Sequence, residues 1–435
     1  MEPRRCAAGR RDDRADQRRA AVPPRGSLVI PALRSAEATL FASVDEQVPA
    51  AITLRRQLHA EPRVAGDEGD TLAAMVAALP EGAEVDLIPG HAAIVTYPGD
   101  GPLIAFRAEL DALPLSEDTG VAWASSNGAM HACGHDVHMA AVVAVVQALR
   151  AAEEPMPVTV LLQPREETYP SGALDVVHSE AFGARGIQSV IGAHVQPLLE
   201  SGLISCTPGV VNAAADEFTV RFTGNEGHAA YPHLTADPVL TASQFVVAAQ
   251  QIVSRNTDPM SPAVVTVGTI HAGQAANAVP HEAVLTGTLR AMHPSTRTLL
   301  HLRLREIADG VAAAHGCRAE VSIVEGEPEL FNAPALTEVA RSRLAGLGAL
   351  SPREIRSCGA DDFAYYSSTV PSIMMFVGVD AAGQGLHSRD FLPDDAAVGS
   401  TARALLAGYL AAREAKTLGA GGALREEVTS QVFHD

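Results

Sequence analysis

The chain lacks the features that would place it in a membrane or on nucleic acid. No uninterrupted apolar run reaches about 18 residues, the length that a helix needs to cross a bilayer. Positive charge is in deficit, because 32 lysines and arginines face 51 aspartates and glutamates, a formal net charge of −19. Such a surface repels phosphate backbones, so we expect neither a membrane nor a nucleic-acid partner.

Cysteine is also scarce, and the N-terminus has no apolar core of the kind found in secretory signals. The five cysteines are an odd number scattered over 435 residues, which argues against a disulfide framework and for a reducing compartment. The segment up to about Gly26 is rich in arginine instead. We therefore expect a cytoplasmic protein in which residues 1–35 are a disordered arm and residues 416–435 are a loose tail.

The length of the chain and its hydrophobic patterns predict two domains. Apolar strand patterns alternate with helical ones, which predicts an α/β domain with a mostly parallel, covered sheet. Between residues 211 and 325 the order becomes strand, helix, strand, strand, helix, strand, as in a ferredoxin-like α+β unit. We expect this unit to be inserted into the larger domain, which is then split into residues 36–210 and 326–415.

Histidine and cysteine are sparse outside one octet, residues 131–138, which reads His-Ala-Cys-Gly-His-Asp-Val-His. This cluster predicts a metal site. Cys133 and His135 lie just before a predicted helix, and a short loop can aim both donors at one ion. Thiolate with imidazole suits zinc, manganese, cobalt or nickel. Taken alone, a Cys-x-His pair is equally consistent with a structural pairing.

Further candidates follow the predicted strands of the larger domain. Glu166 and Glu167 come directly after an apolar strand, where one could bind metal while the other acts as acid and base. Adjacent carboxylates usually belong to a solvated surface, which is the alternative. His194 ends another strand and His387 lies in a later loop, and each is either a ligand or structural. Asp111 lies past a third strand, at the edge where α/β sheets carry their sites.

The predicted insert adds three candidates. His228 is bracketed by small residues beyond a strand. Asn277 and Arg290 could bind a substrate carboxylate, because a guanidinium makes a two-pronged pair with it. Each signal is weak alone, and an ordinary surface arginine is the alternative for Arg290.

Together these motifs resemble the metal-dependent amidohydrolases that include hippurate hydrolases, N-acyl-amino-acid hydrolases and indole-acetyl-amino-acid hydrolases, relatives of aminoacylase and carboxypeptidase G. The resemblance extends in order from about Ile52 to Leu410. It is carried by Arg55 to His59, Arg107 to Pro114, His131 to His138, Gln163 to Glu167, Gly192 to His194, Gly227 to Ala230, Pro232-His233, Asp237-Pro238, Asn277, Pro280, Gly287 to Arg290, Asp362-Phe363 and Leu386-His387.

The resemblance implies a zinc-peptidase-like catalytic domain and an inserted ferredoxin-like lid domain through which the protein forms a homodimer. It also implies one or two divalent metal ions per subunit, with zinc or manganese first and cobalt or nickel as alternatives. The ligands that it implies are Cys133, His135, Glu167, His194 and His387.

The same resemblance implies roles in the chemistry. Glu166 would be the general base that takes a proton from metal-activated water and passes it to the leaving amine, with Asp111 as a supporting carboxylate. His228 would stabilise the oxyanion, plausibly in the partner subunit's site. Asn277 and Arg290 would hold the free carboxylate of the substrate.

Some residues depart from those usual in the family, among them Arg165 and Tyr169, which we expect near the pocket and which put substrate preference in question. The expected function is hydrolysis of the amide bond of a small N-acyl amino acid or a related amidated carboxylate. The alternatives are a dipeptidase or carboxypeptidase on the same scaffold, and a non-catalytic binding protein that retains the metal.

Overall fold

A computed structural model of the protein describes residues 35–417. Most of the expected arm and tail lies outside this range, although Ser35, Lys416 and Thr417 belong to the first and last helices. Among the described residues, no helix is both long and apolar enough to cross a bilayer.

The strands, in chain order, are β1 (Glu84–Ile88), β2 (Ala92–Tyr97), β3 (Ile104–Glu109), β4 (Val158–Gln163), β5 (Ser189–Gln196), β6 (Ile204–Ser205), β7 (Gly209–Asn212), β8 (Ala214–Thr223), β9 (Gly227–His228), β10 (Ala263–Ala272), β11 (Ala278–Val279), β12 (Glu282–Ala291), β13 (Arg318–Glu325), β14 (Leu330–Asn332) and β15 (Ser372–Gly378). The helices are α1 (Ser35–Ala60), α2 (Gly69–Ala78), α3 (His135–Ala151), α4 (Gly172–His178), α5 (Glu180–Arg185), α6 (Pro238–Ala249), α7 (Pro294–Ala314), α8 (Pro334–Gly346), α9 (Ala364–Ser367) and α10 (Ala396–Thr417), with a 3-10 turn at Pro232–Leu234 and a π-helical turn at Ile252–Asn256.

A seven-stranded sheet in the order β1-β2-β4-β3-β5-β15-β6 forms the centre of the larger part. The four strands β4, β3, β5 and β15 are parallel. At the edges β1, β2 and β6 pair antiparallel. The sheet is therefore mixed rather than mostly parallel as predicted, because β1 and β2 are joined by a tight turn at Gly90, a connection open only to antiparallel strands.

Both faces of this sheet are covered, which explains the continuous apolar strands. On one face α3 and α10 lie against the central strands, and α1 packs across both helices. On the other face α4, α5 and α9 enclose a second cluster with Phe182, Phe363 and Tyr366. Buried side chains surround α3 through its first three turns, from His135 to Val146, so its first residues are held rigidly at the carboxyl edge of the parallel strands.

Residues 214–325 form a second, antiparallel sheet in the order β10-β12-β8-β13. Helices α6 and α7 pack together on it and enclose a separate core that includes Phe218, Phe222 and Phe245. The order β8-α6-β10-β12-α7-β13 is strand, helix, strand, strand, helix, strand. A short ladder of β9 with β11 lies beside this sheet and carries His228.

Candidate metal centre

The five predicted ligands lie in one cluster at the carboxyl edge of the parallel strands. The donor atoms of Cys133, His135 and His194 lie within 4.8 Å of one another. Those of Cys133, Glu167 and His387 meet the same criterion. Cys133 is common to both groups, and a further group of His135, Glu166 and Glu167 links them, so the donors form one continuous cluster.

Gly134 explains how Cys133 and His135, two positions apart in the sequence, bring their donor atoms close together. Its φ is +83°, a left-handed conformation that glycine adopts without steric cost. A Cβ at this position would lie 2.4 Å from Cγ2 of Val195 on β5. The turn between Cys133 and His135 therefore requires glycine both for its backbone angle and for its close approach to the sheet.

Backbone carbonyls fix the orientation of two histidines. Nδ1 of His135 lies 2.9 Å from the carbonyl oxygen of Asp111, and Nδ1 of His194 lies 2.7 Å from that of Val195. Since a carbonyl only accepts, each Nδ1 carries the proton and each Nε2 presents a lone pair. Nε2 of His135 is buried and has no hydrogen-bond partner among the described residues, while Nε2 of His194 lies 3.4 Å from Sγ of Cys133. This is the arrangement expected of metal-binding imidazoles.

His138 has the opposite arrangement, although it belongs to the same octet. Its Nε2 accepts the backbone N–H of Val195 at 3.0 Å, so Nδ1 carries the proton and donates to Glu109 at 3.3 Å. Glu109, His135 and His138 are close enough to form another donor set. Because Nε2 of His138 is already occupied, we interpret this group as a support for His194, whose ring centroid lies 4.8 Å away.

The two adjacent glutamates have different surroundings. Oε1 of Glu167 lies 3.1 Å from Nε2 of His387. Burial raises the pKa of Glu167, but the hydrogen bond from His387 and the charge of His135 outweigh it and bring the pKa to about 2. Glu166 has one oxygen 3.8 Å from Nε2 of His135. Burial, followed by the charges of Asp361 and Glu167, raises the pKa of Glu166 well above its usual range.

The Cys133 thiol provides a test of whether a cation fits this cluster. Burial and the charges of Glu167 and Glu166 raise its pKa well above the usual range. A thiolate at this position therefore needs a strong positive charge beside it, and coordination of a divalent metal supplies that charge. Sulfur, imidazole nitrogen and carboxylate oxygen together form a donor set that suits borderline metals such as zinc.

The buried guanidinium of Arg107 pairs with two acidic residues close to Glu166, namely Asp361 and Asp362. It donates to Gln163 at 2.9 Å and to Asp362, and lies 3.2 Å from Asp361. Glu166, Asp361 and Asp362 come within ligand distance of one another. However, both oxygens of Asp362 accept hydrogen bonds from Gln163, so this group is an internal network rather than a second metal site.

A second buried network supports the octet from behind. Oδ2 of Asp136 accepts hydrogen bonds from Arg55 and His59, each at 3.0 Å. The other ring nitrogen of His59 lies 3.1 Å from Oε1 of Glu117, and Trp123 packs edge-on at 4.8 Å. Burial lowers the pKa of His59, but the two carboxylates outweigh it and raise the pKa to about 9. Glu117 had no sequence signal, because it stands beside Asp118 in a polar loop without periodicity.

Asp111 lies against the cluster and contacts the loop that carries the glutamates. Its Oδ2 accepts the N–H of Glu167 at 2.9 Å, and its Oδ1 lies 3.7 Å from Nδ1 of His135. Burial raises the pKa of Asp111, and the charge of His135 offsets part of this increase. The residue therefore adjoins both a predicted ligand and the loop of the predicted base.

The three candidates between residues 214 and 325 are not part of the groups of potential metal ligands. His228 is exposed, and its Nδ1 accepts the N–H of Ala230 at 3.0 Å. Asn277 lies next to it, since its carbonyl accepts the N–H of Ala229 at 3.0 Å. Arg290, on β12, faces Ala215 and Val264 across the sheet. In the described part of the chain, His228 and Asn277 thus form a small group of their own.

Arg165 and Tyr169, two of the departures from the family pattern, each have an identifiable partner. The Arg165 guanidinium pairs with Asp175 and packs over Gly90. The hydroxyl of Tyr169 donates to Glu327, on the segment that leads from β13 back to the larger sheet. Burial raises the pKa of Tyr169, while the charge of Arg290 acts in the opposite direction, so Arg290 is near this contact.

Comparisons with known proteins agree with this geometry. The sequence signature of peptidase family M20/M25/M40 matches residues 105–407. The N-acetyl-L-cysteine deacetylase of Bacillus subtilis (strain 168) is 35% identical over 356 residues, which cover 80% of this chain and 84% of that protein. An N-acetyldiaminopimelate deacetylase of Listeria monocytogenes serotype 4b (strain CLIP80459) is 35% identical over 354 residues, covering 80% of this chain and 95% of that protein.

A solved structure with the same fold is a Bacillus subtilis protein described as a dinuclear metal-binding peptidase of the M20 family. It superimposes with a TM-score of 0.73 at 30% sequence identity, covering 85% of this chain and 99% of that one. These matches confirm the resemblance inferred from the motifs. The chain belongs to peptidase family M20/M25/M40 and is a metal-dependent hydrolase that acts on amide bonds.

Proposed function

We propose that the protein removes the acyl group from N-acyl amino acids with the help of divalent metal ions, which Cys133, His135, Glu167, His194 and His387 would hold. The observation that carries this proposal is the convergence of these five donors in overlapping groups that meet at Cys133. Two relatives are named as deacetylases of N-acetylated amino acids, and a relative of solved structure is described as dinuclear. Zinc or manganese is the first expectation for the metal, with cobalt or nickel as alternatives.

The proposed ligands form two overlapping groups. Cys133 would act with His135 and His194, and also with Glu167 and His387. The orientation of both buried imidazoles supports metal binding, because each turns an unprotonated Nε2 away from its carbonyl partner. When bound, the metal ions supply Lewis acidity, which lowers the pKa of water and polarises the amide carbonyl.

Glu166 is the proposed general base. It follows directly on β4, lies beside His135, and has surroundings that favour its protonated form once it has accepted a proton. In the proposed reaction it takes a proton from the attacking water and delivers it to the amide nitrogen as the C–N bond breaks. A group that must both accept and release a proton is served by a raised pKa, which brings the carboxyl closer to neutral pH. Asp111 supports the loop and His135.

Substrate recognition is assigned to the inserted unit, which we propose acts as a lid and as the surface of a homodimer. His228 is exposed on the β9–β11 ladder, so it is available to a site on a partner subunit rather than to its own cluster. There it would donate to the developing oxyanion. Asn277, next to His228, and Arg290 would hold the free carboxylate of the amino acid.

The proposal is tested by assaying the purified protein, with its metal content measured, against N-acetyl-cysteine, N-acetyldiaminopimelate, other N-acyl amino acids and a set of dipeptides. We expect release of carboxylic acid and free amino acid from the acylated substrates, with kcat/KM above that for dipeptides. A consistent preference for dipeptides would contradict the substrate class. No turnover of either class at full metal content would contradict the proposed activity.

A further inference from the structure

Glu68 is a buried carboxylate whose contacts lead to the loop of the two glutamates. It lies just before α2 and is 0% exposed. Its Oε1 accepts the N–H of Arg165 at 3.0 Å, and its Oε2 accepts the N–H of Gly66 at 2.9 Å. Burial, the largest influence, raises the pKa of Glu68, and backbone N–H groups act in the opposite direction. The contacts that favour the ionised form of Glu68 are thus hydrogen bonds from backbone N–H groups.

The next amides of the same loop point to a second carboxylate. Asp111 accepts the N–H of Glu167 at 2.9 Å and also interacts with the N–H of Glu166. Three consecutive backbone N–H groups, those of residues 165–167, therefore face two buried carboxylates. Successive N–H groups with one left-handed residue form a concave site for an anion, and here the protein supplies the anions itself.

Arg165 is the left-handed residue of this loop, with φ of +50°. A residue with a Cβ adopts this angle only at a steric cost, which glycine avoids. That conformation turns the chain sharply between β4 and the glutamates. Without an acceptor for its N–H, Arg165 would be free to return to a less strained angle, and Glu166 would move with it.

We propose that Glu68 is a positioning residue for the reaction. By holding Arg165 in the left-handed conformation, it directs Glu166 towards His135 and leaves Glu167 facing His387. This inference rests on the proposed roles of Glu166 and Glu167. Glu68 is more informative than Asp111, because the backbone carbonyl of Asp111 also orients His135, whereas the hydrogen bonds of the Glu68 side chain come from Arg165 and Gly66 and not from a predicted ligand.

The test uses four variants of the full-length, metal-loaded protein, one of which is Arg165→Gly alone. Glu68→Ala removes both acceptors. Glu68→Ala/Arg165→Gly removes them but makes the left-handed angle free of steric cost. Asp70→Asn is the matched control, because Asp70 lies on the same helix terminus, is exposed, and pairs with Arg63 instead of the loop. Metal content and thermal unfolding are measured for each variant.

We expect Glu68→Ala to lower kcat on an N-acetyl amino acid by about a hundredfold, as a displacement of about 1 Å of a catalytic group does, with a much smaller change in KM. The added Arg165→Gly substitution should restore about tenfold of this loss, and Arg165→Gly alone should lower kcat less than Glu68→Ala. Asp70→Asn should match the wild type. A purely structural role would lower the unfolding temperature but leave kcat per metal-loaded molecule unchanged.

Hydrogen–deuterium exchange over residues 165–167 gives a second measurement that needs no turnover. Glu68→Ala should speed the exchange of these amides, and Asp70→Asn should not. If the wild type fails to hydrolyse any N-acyl amino acid, the proposed function falls, while the exchange data still decide whether Glu68 holds the loop. Unchanged exchange, or a loss of kcat that Arg165→Gly does not relieve, would overturn the proposal.

Discussion

Replacing Gly134 with alanine should damage the metal centre more than an ordinary glycine substitution would. The alanine must adopt a φ of +83°, which costs a residue with a Cβ about 1–2 kcal/mol. Its Cβ would also lie 2.4 Å from Cγ2 of the fully buried Val195, so the turn or β5 has to move. Such overpacking typically costs about 1–3 kcal/mol. The expected loss in free energy of unfolding is therefore about 2–5 kcal/mol.

Gly120→Ala separates the two contributions. Gly120 has φ of +72°, but nothing lies within 4 Å of a Cβ built there, so only the backbone cost of about 1–2 kcal/mol remains. A third variant, Gly134→Ala/Val195→Ala, removes the close contact and keeps the backbone angle. Its destabilisation should be smaller than the sum of the two single changes by about 1–3 kcal/mol.

Urea denaturation of the metal-free proteins measures these differences without the stabilisation that bound metal adds. Metal titration of the same variants should then show weaker binding for Gly134→Ala, because the substitution separates Cys133 from His135. Two results would show that the close approach of this turn to β5 does not constrain the site. One is equal destabilisation by Gly134→Ala and Gly120→Ala, and the other is a loss in Gly134→Ala/Val195→Ala that equals the sum of the losses in the two single variants.

Three further predictions concern the surroundings of the centre. The pKa of His59 is about 9 in the folded protein against 6.5 for the free side chain. Protonated His59 therefore adds on the order of 3 kcal/mol to the free energy of unfolding, and this stabilisation is fully present below pH 6.5 and lost as the pH rises through 9. Denaturation curves of His59→Gln should lack this decline, and an identical pH profile would refute it. His138→Ala should weaken metal affinity about tenfold while the number of ions per chain stays constant, because Nε2 of His138 already accepts the N–H of Val195. The loss of one ion per chain would show instead that His138 is a ligand. Hybrid dimers of Glu166→Ala and His228→Ala subunits should recover part of the activity, and verified hybrids without recovery would count against action across the dimer.

The predicted ligands could be located from the sequence because each lies where a strand or a short loop ends. Glu166 and Glu167 follow the wholly buried β4, and His194 lies near the end of β5. Periodicity also located the buried strands and the helix after the octet. The antiparallel edges of the large sheet could not be predicted this way, because strand direction depends on pairing with distant segments and leaves no local pattern.

The supporting residues were beyond the reach of sequence patterns for a similar reason. Glu68 reaches a loop 97 residues further along the chain, and His59 joins Glu117 across 58 residues. Each of these glutamates has an acidic neighbour in a polar stretch, Asp67 and Asp118 respectively, and no periodicity distinguishes it from a solvated surface residue. His135 and His138 are likewise equivalent in sequence, and only the backbone groups that meet their rings separate a candidate ligand from a support.

Turnover by Glu166→Ala, compared with the wild type at equal measured metal content, tests the central claim most directly. The account assigns proton transfer to Glu166 and metal binding to its neighbours. Metal content should therefore stay near the wild-type value, while hydrolysis of an N-acyl amino acid falls by about a hundred- to ten-thousand-fold. Turnover that persists at full metal content would contradict the account.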